Sequence, residues 1–445
     1  MSVSLRLAGP LMVAQVSYMA MGFFDTVMVG NVGPLELAAV AIGTSLWHPL
    51  YLLILGVLMA TSTSIAHLCG AGRWSDMGGL VRQALWLSIL LSLPAVLLLR
   101  DAIRLLQWLS VDPPIVPVTQ DYLDALSWGV PAVFAYIVLR FLSEGLTYTQ
   151  PIMVIGVVGL LVNIAGNYLL IYGHWGLPAL GATGCGLATA LSMWVMLICM
   201  GVLVVFHKRY RPVALLRRWD WPRWRELRPL LMLGLPIGLS IFAEASIFAA
   251  VALVLGFLGA TVVAGHQIAL NVAAMSFMLP LSLAMALTAR IGQALGRGSQ
   301  ETARFIGLTG IALAGLIMAI MATLISTSAR LIVALYTDDL QVADIAAHLL
   351  LFAALFQISD GFQVAASGSL RGFKDTRIPF CITVLAYWVI GFPVGYFLGI
   401  GAAWGAAGMW VGLIAGLSVA AVLLNTRFWF VSKSAIYRYD DINRT

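Results

Sequence analysis

Twelve long apolar runs dominate this chain, at approximately residues 7–29, 41–68, 81–99, 123–142, 152–172, 183–206, 230–256, 263–289, 305–327, 342–368, 378–399 and 406–430. About 20 mainly apolar residues suffice to cross a bilayer as a helix, and backbone in hydrocarbon must satisfy its own hydrogen bonds. Runs this long and this uniform do not suit transmembrane strands, which alternate in polarity over about ten residues. The expected fold class is therefore all-α, a polytopic membrane protein. Composition agrees: 61% of residues are hydrophobic and 10% charged, against about a quarter charged in soluble domains. Such a chain cannot cover a water-facing surface, which excludes a soluble enzyme, a nucleic-acid-binding protein and a disordered scaffold.

The loops set an orientation. With the N-terminus in the cytoplasm, 21 of the 25 Lys and Arg fall on the cytoplasmic side, and only Arg100, Arg104 and Arg330 on the other. Arg140 lies near the inner end of the fourth run. The positive-inside rule then puts both termini in the cytoplasm, which requires an even number of spans. The run from Leu7 to Val29 is too long for a cleavable signal, so it is expected to stay as the first span of a multi-pass membrane protein.

A basic stretch from His207 to Arg228 divides the chain near its middle and prompts a search for a repeat. At an offset of 226, Pro10 falls on Pro236, Gly30 on Gly256, Gly33 on Gly259, Ile65 on Ile291, Gly70 on Gly296 and Gly72 on Gly298. Six spans per half make the repeat parallel, with substrate expected between two lobes near the midplane. The expected organisation is an N-lobe over 1–206, a cytoplasmic linker over 207–229, a C-lobe over 230–430 and a cytoplasmic tail over 431–445.

No phosphate-cradling G-x-x-x-x-G-K-[ST] run and no zinc motif occurs, and no nucleophile–base constellation suggests an enzyme. The four cysteines are far apart and the six histidines scattered, so no cofactor and no structural metal is expected. His67 and His266, in apolar runs, read as hydrogen-bonded core histidines. Work across the membrane then requires an ion gradient and a membrane-embedded site for the ion.

Of nineteen Asp and Glu, three stand inside spans: Asp25, Glu244 and Asp360. An Asp at a helix centre costs at least about 2.5–3.5 kcal/mol, which makes each a functional-site candidate. A carboxylate there can take a proton, an alkali cation or a cationic substrate, and the three compete. That is the chemistry of cation antiport. Helical spacing puts Phe356, Asp360, Gln363, Val364 and Ser367 on one face, and oxygen ligands beside a carboxylate suit a hard cation. Asn163 and Asn167, one turn apart, can complete a polar site with Asp25. Gln267 and Asn271 form a similar pair, although amides also join membrane helices. Phe242, Phe248, Phe277, Met275, Met278 and Trp47 lie at comparable levels. Those that line an acidic cavity would hold flat cations without demanding one shape.

These residues resemble a known family. Met21-Gly22-Phe23-Phe24-Asp25-Thr26-Val27-Met28-Val29-Gly30 is similar to the first helix of NorM-type transporters of the MATE (multidrug and toxic compound extrusion) family. So are Asn163-Ile164-Ala165-Gly166-Asn167, Phe242-Ala243-Glu244, Val262 through Asn271, and Asp360 followed by Gly368-Ser369-Leu370-Arg371-Gly372. The resemblance implies a monomeric twelve-helix antiporter that exports cationic or amphipathic drugs against inward sodium or proton flow. It assigns Asp25, Asn163 and Asn167 to an N-lobe polar site, and Glu244 and Asp360 to a C-lobe cation site that sodium can occupy. Phe356 departs from the tyrosine a NorM relative can carry there, removing one oxygen contact. A lipid-linked oligosaccharide flippase, of the same wider superfamily, is the alternative. Its anionic phosphate would call for arginines in the cavity, where this chain has acids.

Overall fold

The computed structural model describes residues 2–108, 111–218 and 220–444, with side chains given from Val3 through Lys433. Among them are sixteen α-helices: α1 (Ser2–Gly30), α2 (Pro34–Leu58), α3 (Ala60–Gly70), α4 (Trp74–Arg100), α5 (Ala102–Trp108), α6 (Ile115–Ser127), α7 (Val130–Gly145), α8 (Gln150–Tyr172), α9 (Gly181–Phe206), α10 (Trp224–Gly256), α11 (Ala260–Gly296), α12 (Gln300–Val333), α13 (Leu340–Gly372), α14 (Arg377–Val384), α15 (Phe392–Tyr396) and α16 (Gly405–Arg444). Eleven helical stretches are long and apolar enough to cross a membrane. Twelve result if α6 and α7, bent by 45°, make one span. The all-helical, multi-span reading holds.

Several expectations need adjusting. The fourth span, expected as a single run over 123–142, breaks at Trp128 and Gly129, because Pro131 at the start of α7 cannot continue the ladder from α6. The second begins at Pro34, beside Gly33, and is interrupted at Met59. The expected tail is helical, α16 continuing to Arg444, while Thr445 lies outside the described residues. Contacts divide the chain into one unit over Gly9–Gly238 and another made of the residues up to Ala8 and from Leu239 onward. The boundary thus falls inside α10 and not at its start. Glycines explain that placement. A Cβ on Gly234 would lie 2.0 Å from the Val57 carbonyl, and one on Gly56 would lie 2.4 Å from the Gly238 Cα. The first half of α10 is therefore pressed against α2 at backbone distance.

The 207–229 segment is docked, not a loose linker. Arg82 of α4 pairs with Asp220 at 2.6 Å and donates to the Leu215 carbonyl. Gln83 and Trp86 donate to the carbonyls of Trp221 and Asp220, and Trp86 stacks on Trp221. Tyr210 is buried against Ser143 of α7.

The internal repeat is visible in backbone geometry within each unit. Gly72 and Gly298 both take left-handed φ (69° and 79°), and in each the next residue's amide reaches back to Leu68 or Ala294 to close the preceding helix. Gly145 and Gly372 sit equivalently: a Cβ there would lie 2.7 Å from Ile65 Cγ2 and 2.8 Å from Ile291 Cγ2. Two residues on, Thr147 and Lys374 close α7 and α13 in the same left-handed conformation, without a glycine. Ile65 and Ile291, already paired by the 226 offset, thus meet matching glycines.

One packing device has no counterpart in the sequence reading. Between α14 and α15, and again after α15, the backbone is π-helical, over Leu385–Gly391 and Phe397–Gly401. Gly391, Gly395 and Gly399 on this span face Gly416, Gly412 and Gly408 on α16. A Cβ on Gly412 would be 2.2 Å from the Gly395 Cα, one on Gly416 3.0 Å from the Gly391 Cα, and one on Gly408 2.5 Å from the Gly399 amide. Small residues every fourth position let helix backbones touch in lipid, where no hydrophobic effect drives association.

Candidate functional site

Two separate acidic sites emerge, one in each unit. In the first, α1 carries Asp25 against α8 and α9. Asp25 Oδ1 accepts from Asn163 Nδ2 at 3.0 Å and Asn167 Nδ2 at 2.6 Å, and Oδ2 accepts from Thr189 Oγ1 at 3.2 Å. Both asparagines are fully buried. The expected triad is assembled, because one helical turn of α8 separates the two amides. Thr189 and, one turn earlier on α9, Cys185 complete the shell. Sequence reading missed both, since pairing of α8 with α9 leaves no mark in one chain. Three neutral side chains thus donate to its two oxygens.

The second site is built differently. Asp360, in mid-α13, is buried and feels the charge of Glu244 on α10. The Tyr387 hydroxyl donates to Glu244 Oε1 at 3.4 Å, Gln363 also hydrogen-bonds Glu244, and the Arg371 charge acts on it from the end of α13. The π-helical stretch lets two consecutive residues reach α10: Tyr387 meets Glu244 and Trp388 Nε1 donates to the Ala243 carbonyl at 3.1 Å. Asp360 Oδ2 and Gln363 Oε1 are buried acceptors without a hydrogen-bond partner among the described residues. Two neighbouring acids and an unsatisfied amide oxygen are what a proton or a partly dehydrated cation would complete.

The remaining candidates divide. Phe356 is buried, in edge contact with Phe248 and Trp410, so it is core packing around the acidic pair with little surface to offer a drug. Trp47 is likewise buried, stacked on Phe134. Ser367 is half-buried on the Asp360 face. Gln267, Asn271 and Met275 form an exposed row on α11, at spacings of four, and Asn271 accepts from the Tyr336 hydroxyl at 3.2 Å. They do not join the Glu244–Asp360 cluster. His266 is fully buried, but both ring nitrogens lack a hydrogen-bond partner among the described residues, unlike the satisfied histidine expected.

A fourth buried acid lies at a helix end. Glu144, in the last turn of α7, pairs with Arg140 at 2.8 Å, both being 2% exposed. Arg140 also donates to Gln15 Oε1 and lies over the Tyr18 ring, while Tyr18 and Tyr136 share a 2.6 Å hydrogen bond. The i,i+4 spacing of Arg140 and Glu144 was the available signal.

The chain is 45% identical to multidrug resistance protein PmpM of Pseudomonas aeruginosa, over 99% of this chain and 93% of that one. It is 43% identical to multidrug resistance protein MdtK of Proteus mirabilis, over 97% and 95%. Among solved structures, a multidrug resistance MATE family transporter of the MOP superfamily in an outward-facing conformation superposes with a TM-score of 0.88 at 22% identity, over 100% of this chain and 96% of that one. A eukaryotic MATE transporter superposes with a TM-score of 0.87 at 20% identity, over 98% of both. The MatE family model matches twice, over residues 10–169 and 236–397, two blocks that begin at the 226-residue offset of the internal repeat. The chain belongs to the MatE family of multi-span membrane transporters.

Proposed function

We propose that this protein is a secondary active multidrug efflux antiporter of the bacterial inner membrane, both termini cytoplasmic, that exports lipophilic or cationic drugs against sodium or proton entry by alternating access. The single observation that carries this reading is the contrast between its two acidic sites. Both Asp25 oxygens accept from neutral donors, Asn167 Oδ1 being the unsatisfied oxygen beside them, whereas in the second site a carboxylate oxygen of Asp360 is itself unsatisfied, together with Gln363 Oε1, beside Glu244. An exchangeable cation belongs where acceptors outnumber donors, so Glu244 and Asp360 are the coupling pair. Asp25 with Asn163 and Asn167 forms the second polar site, and the exposed α11 row of Gln267, Asn271 and Met275 is the drug-facing surface. The names of the relatives support drug as cargo. The acidic sites favour cationic cargo over the phosphate of a lipid-linked oligosaccharide.

A gradient drives a two-state transporter only through unequal affinity of the ion for the two states. Moving the populations from 1:99 to 99:1 takes about 5.5 kcal/mol of that difference. Glu244→Gln with Asp360→Asn keeps shape and removes the charge. Dye efflux from proteoliposomes, with sodium and pH gradients imposed separately, should be lost in this double variant while insertion and folding persist. Efflux at the wild-type rate from the double variant would overturn the assignment.

A further inference from the structure

The docked segment before α10 and the first turns of α10 form a surface that the transport reading leaves unused. Its backbone is fixed by α4 through Arg82, Gln83 and Trp86, as described above. Its two acids are taken: Asp220 by Arg82, and Glu226 by Arg223 at 3.3 Å. Arg225 and Arg228 are exposed and have no ion-pair partner among the described residues. With Trp224, Pro229 and Met232 they line a cleft of about 480 Å³.

The order of residues along the helix is the informative part. Trp224, Arg225, Arg228, Met232 and Leu235 follow one another at steps of one, three, four and three, a single stripe on the helix surface. All five are exposed, Trp224 at 66%. The stripe runs from an aromatic through two cations to apolar side chains. Arg228 to Leu235 spans about 10 Å at the helical rise. We propose that this cleft is a binding site for an anionic phospholipid, its phosphate held between Arg225 and Arg228, its glycerol edge against Trp224 and its acyl chain along Met232 and Leu235. Basic pockets beside membrane helices recognise lipid headgroups electrostatically, and arginine presents a planar fork to phosphate. A free phosphate would use the two arginines alone. The apolar continuation favours a lipid, and the fixed backbone means the arginines are positioned before it arrives. The site stands on local geometry and does not depend on the transport reading.

Native mass spectrometry of the full-length protein in detergent, titrated with dioleoyl phosphatidylglycerol or dioleoyl phosphatidylcholine, tests this. Phosphatidylglycerol should bind about tenfold or more tighter, with the preference shrinking as salt rises. Arg225→Gln with Arg228→Gln should weaken phosphatidylglycerol by up to about 30-fold, roughly fivefold per arginine, and bring it level with phosphatidylcholine. Arg225→Lys with Arg228→Lys should restore most of the loss, which separates charge from misfolding. Arg217→Gln with Arg218→Gln, on the same segment but outside the cleft, should change little. Equal binding of the two lipids, or an Arg225→Gln, Arg228→Gln variant that keeps the preference, overturns the proposal. So does inorganic phosphate that displaces the lipid at comparable concentration, since that would mark a simple anion site.

Discussion

The Arg140–Glu144 pair yields a quantitative expectation. Both side chains are 2% exposed, 2.8 Å apart, and enclosed by Tyr18, Tyr136 and Gln15. Removing one member of a buried pair strands the other charge and costs about 3–5 kcal/mol, whereas replacing both with apolar groups of similar volume is often neutral. Glu144→Leu leaves Arg140 with its Gln15 contact and the Tyr18 ring face, so its loss belongs near the lower end of that range. Arg140→Met removes the cation facing the Glu144 carboxylate, and its loss belongs within the same range. For a unit of about 200 residues, each kcal/mol moves the midpoint by about 2–4 °C, so the single variants should melt roughly 6–20 °C below wild type. The Arg140→Met, Glu144→Leu double variant should recover most of that loss. Fluorescence-detected thermal unfolding of purified protein in detergent reads all four proteins on one scale. The reasoning is refuted if either single variant melts with wild type, or if the double variant falls by the sum of the singles. Additive losses would mean the two charges do not act on each other.

Three further expectations follow from local geometry. Gly145→Val should lower thermal stability by about 1–3 kcal/mol through overpacking against Ile65, and Ile65→Ala should recover part of it. Gly372→Val with Ile291→Ala should behave in parallel, and a difference in sign between the halves would break the structural equivalence. Thr147→Gly and Lys374→Gly relieve left-handed backbone worth about 1–2 kcal/mol, less about 0.4–1 kcal/mol of unfolded-state entropy, so each should raise the melting point slightly. Burial pushes the Tyr210 phenol up to about 12, partly offset by its Ser143 hydrogen bond. The stabilisation is fully present below the ordinary value of about 10 and disappears as pH rises through about 12. A wild-type minus Tyr210→Phe difference titration at 295 nm should place its tyrosinate step in that window, and a step at the unperturbed value would show the hydroxyl to be solvated.

The spans and their repeat were readable because each demanded a long apolar run, and because glycines such as Gly72 and Gly298 recur where φ must be positive. Helix ends were less so. Pro34–Leu58 and Leu340–Gly372 continue past their most apolar stretches, and hydropathy is blind to a helix that extends beyond hydrocarbon. The docking of 207–229 was invisible for a chemical reason: its bonds go largely to the backbone carbonyls of Leu215, Asp220 and Trp221, which every residue possesses. Asp25, Asn163 and Asn167 were found by spacing within one helix and by the cost of a buried charge. Thr189 and Tyr387 were not, because each depends on which helices lie side by side. Glu144 was not singled out, although its spacing from Arg140 is plain in the sequence.

The six facing glycines of the eleventh span and α16 carry a consequence for how this protein can vary. Only glycine lacks a Cβ, so every missense change at Gly408, Gly412 or Gly416 inserts an atom where a neighbouring backbone already lies within 2.7 Å. No repacking of side chains relieves such a collision, because the obstacle is main chain on both sides. A mutational scan should find the α16 side of this seam closed to substitution. Selection for new cargo would then have to act elsewhere, on surfaces such as the α11 row of Gln267, Asn271 and Met275, where a changed side chain meets no backbone. Inherited variation in this lineage should accordingly be lopsided, with an almost invariant seam in the same half as a permissive face.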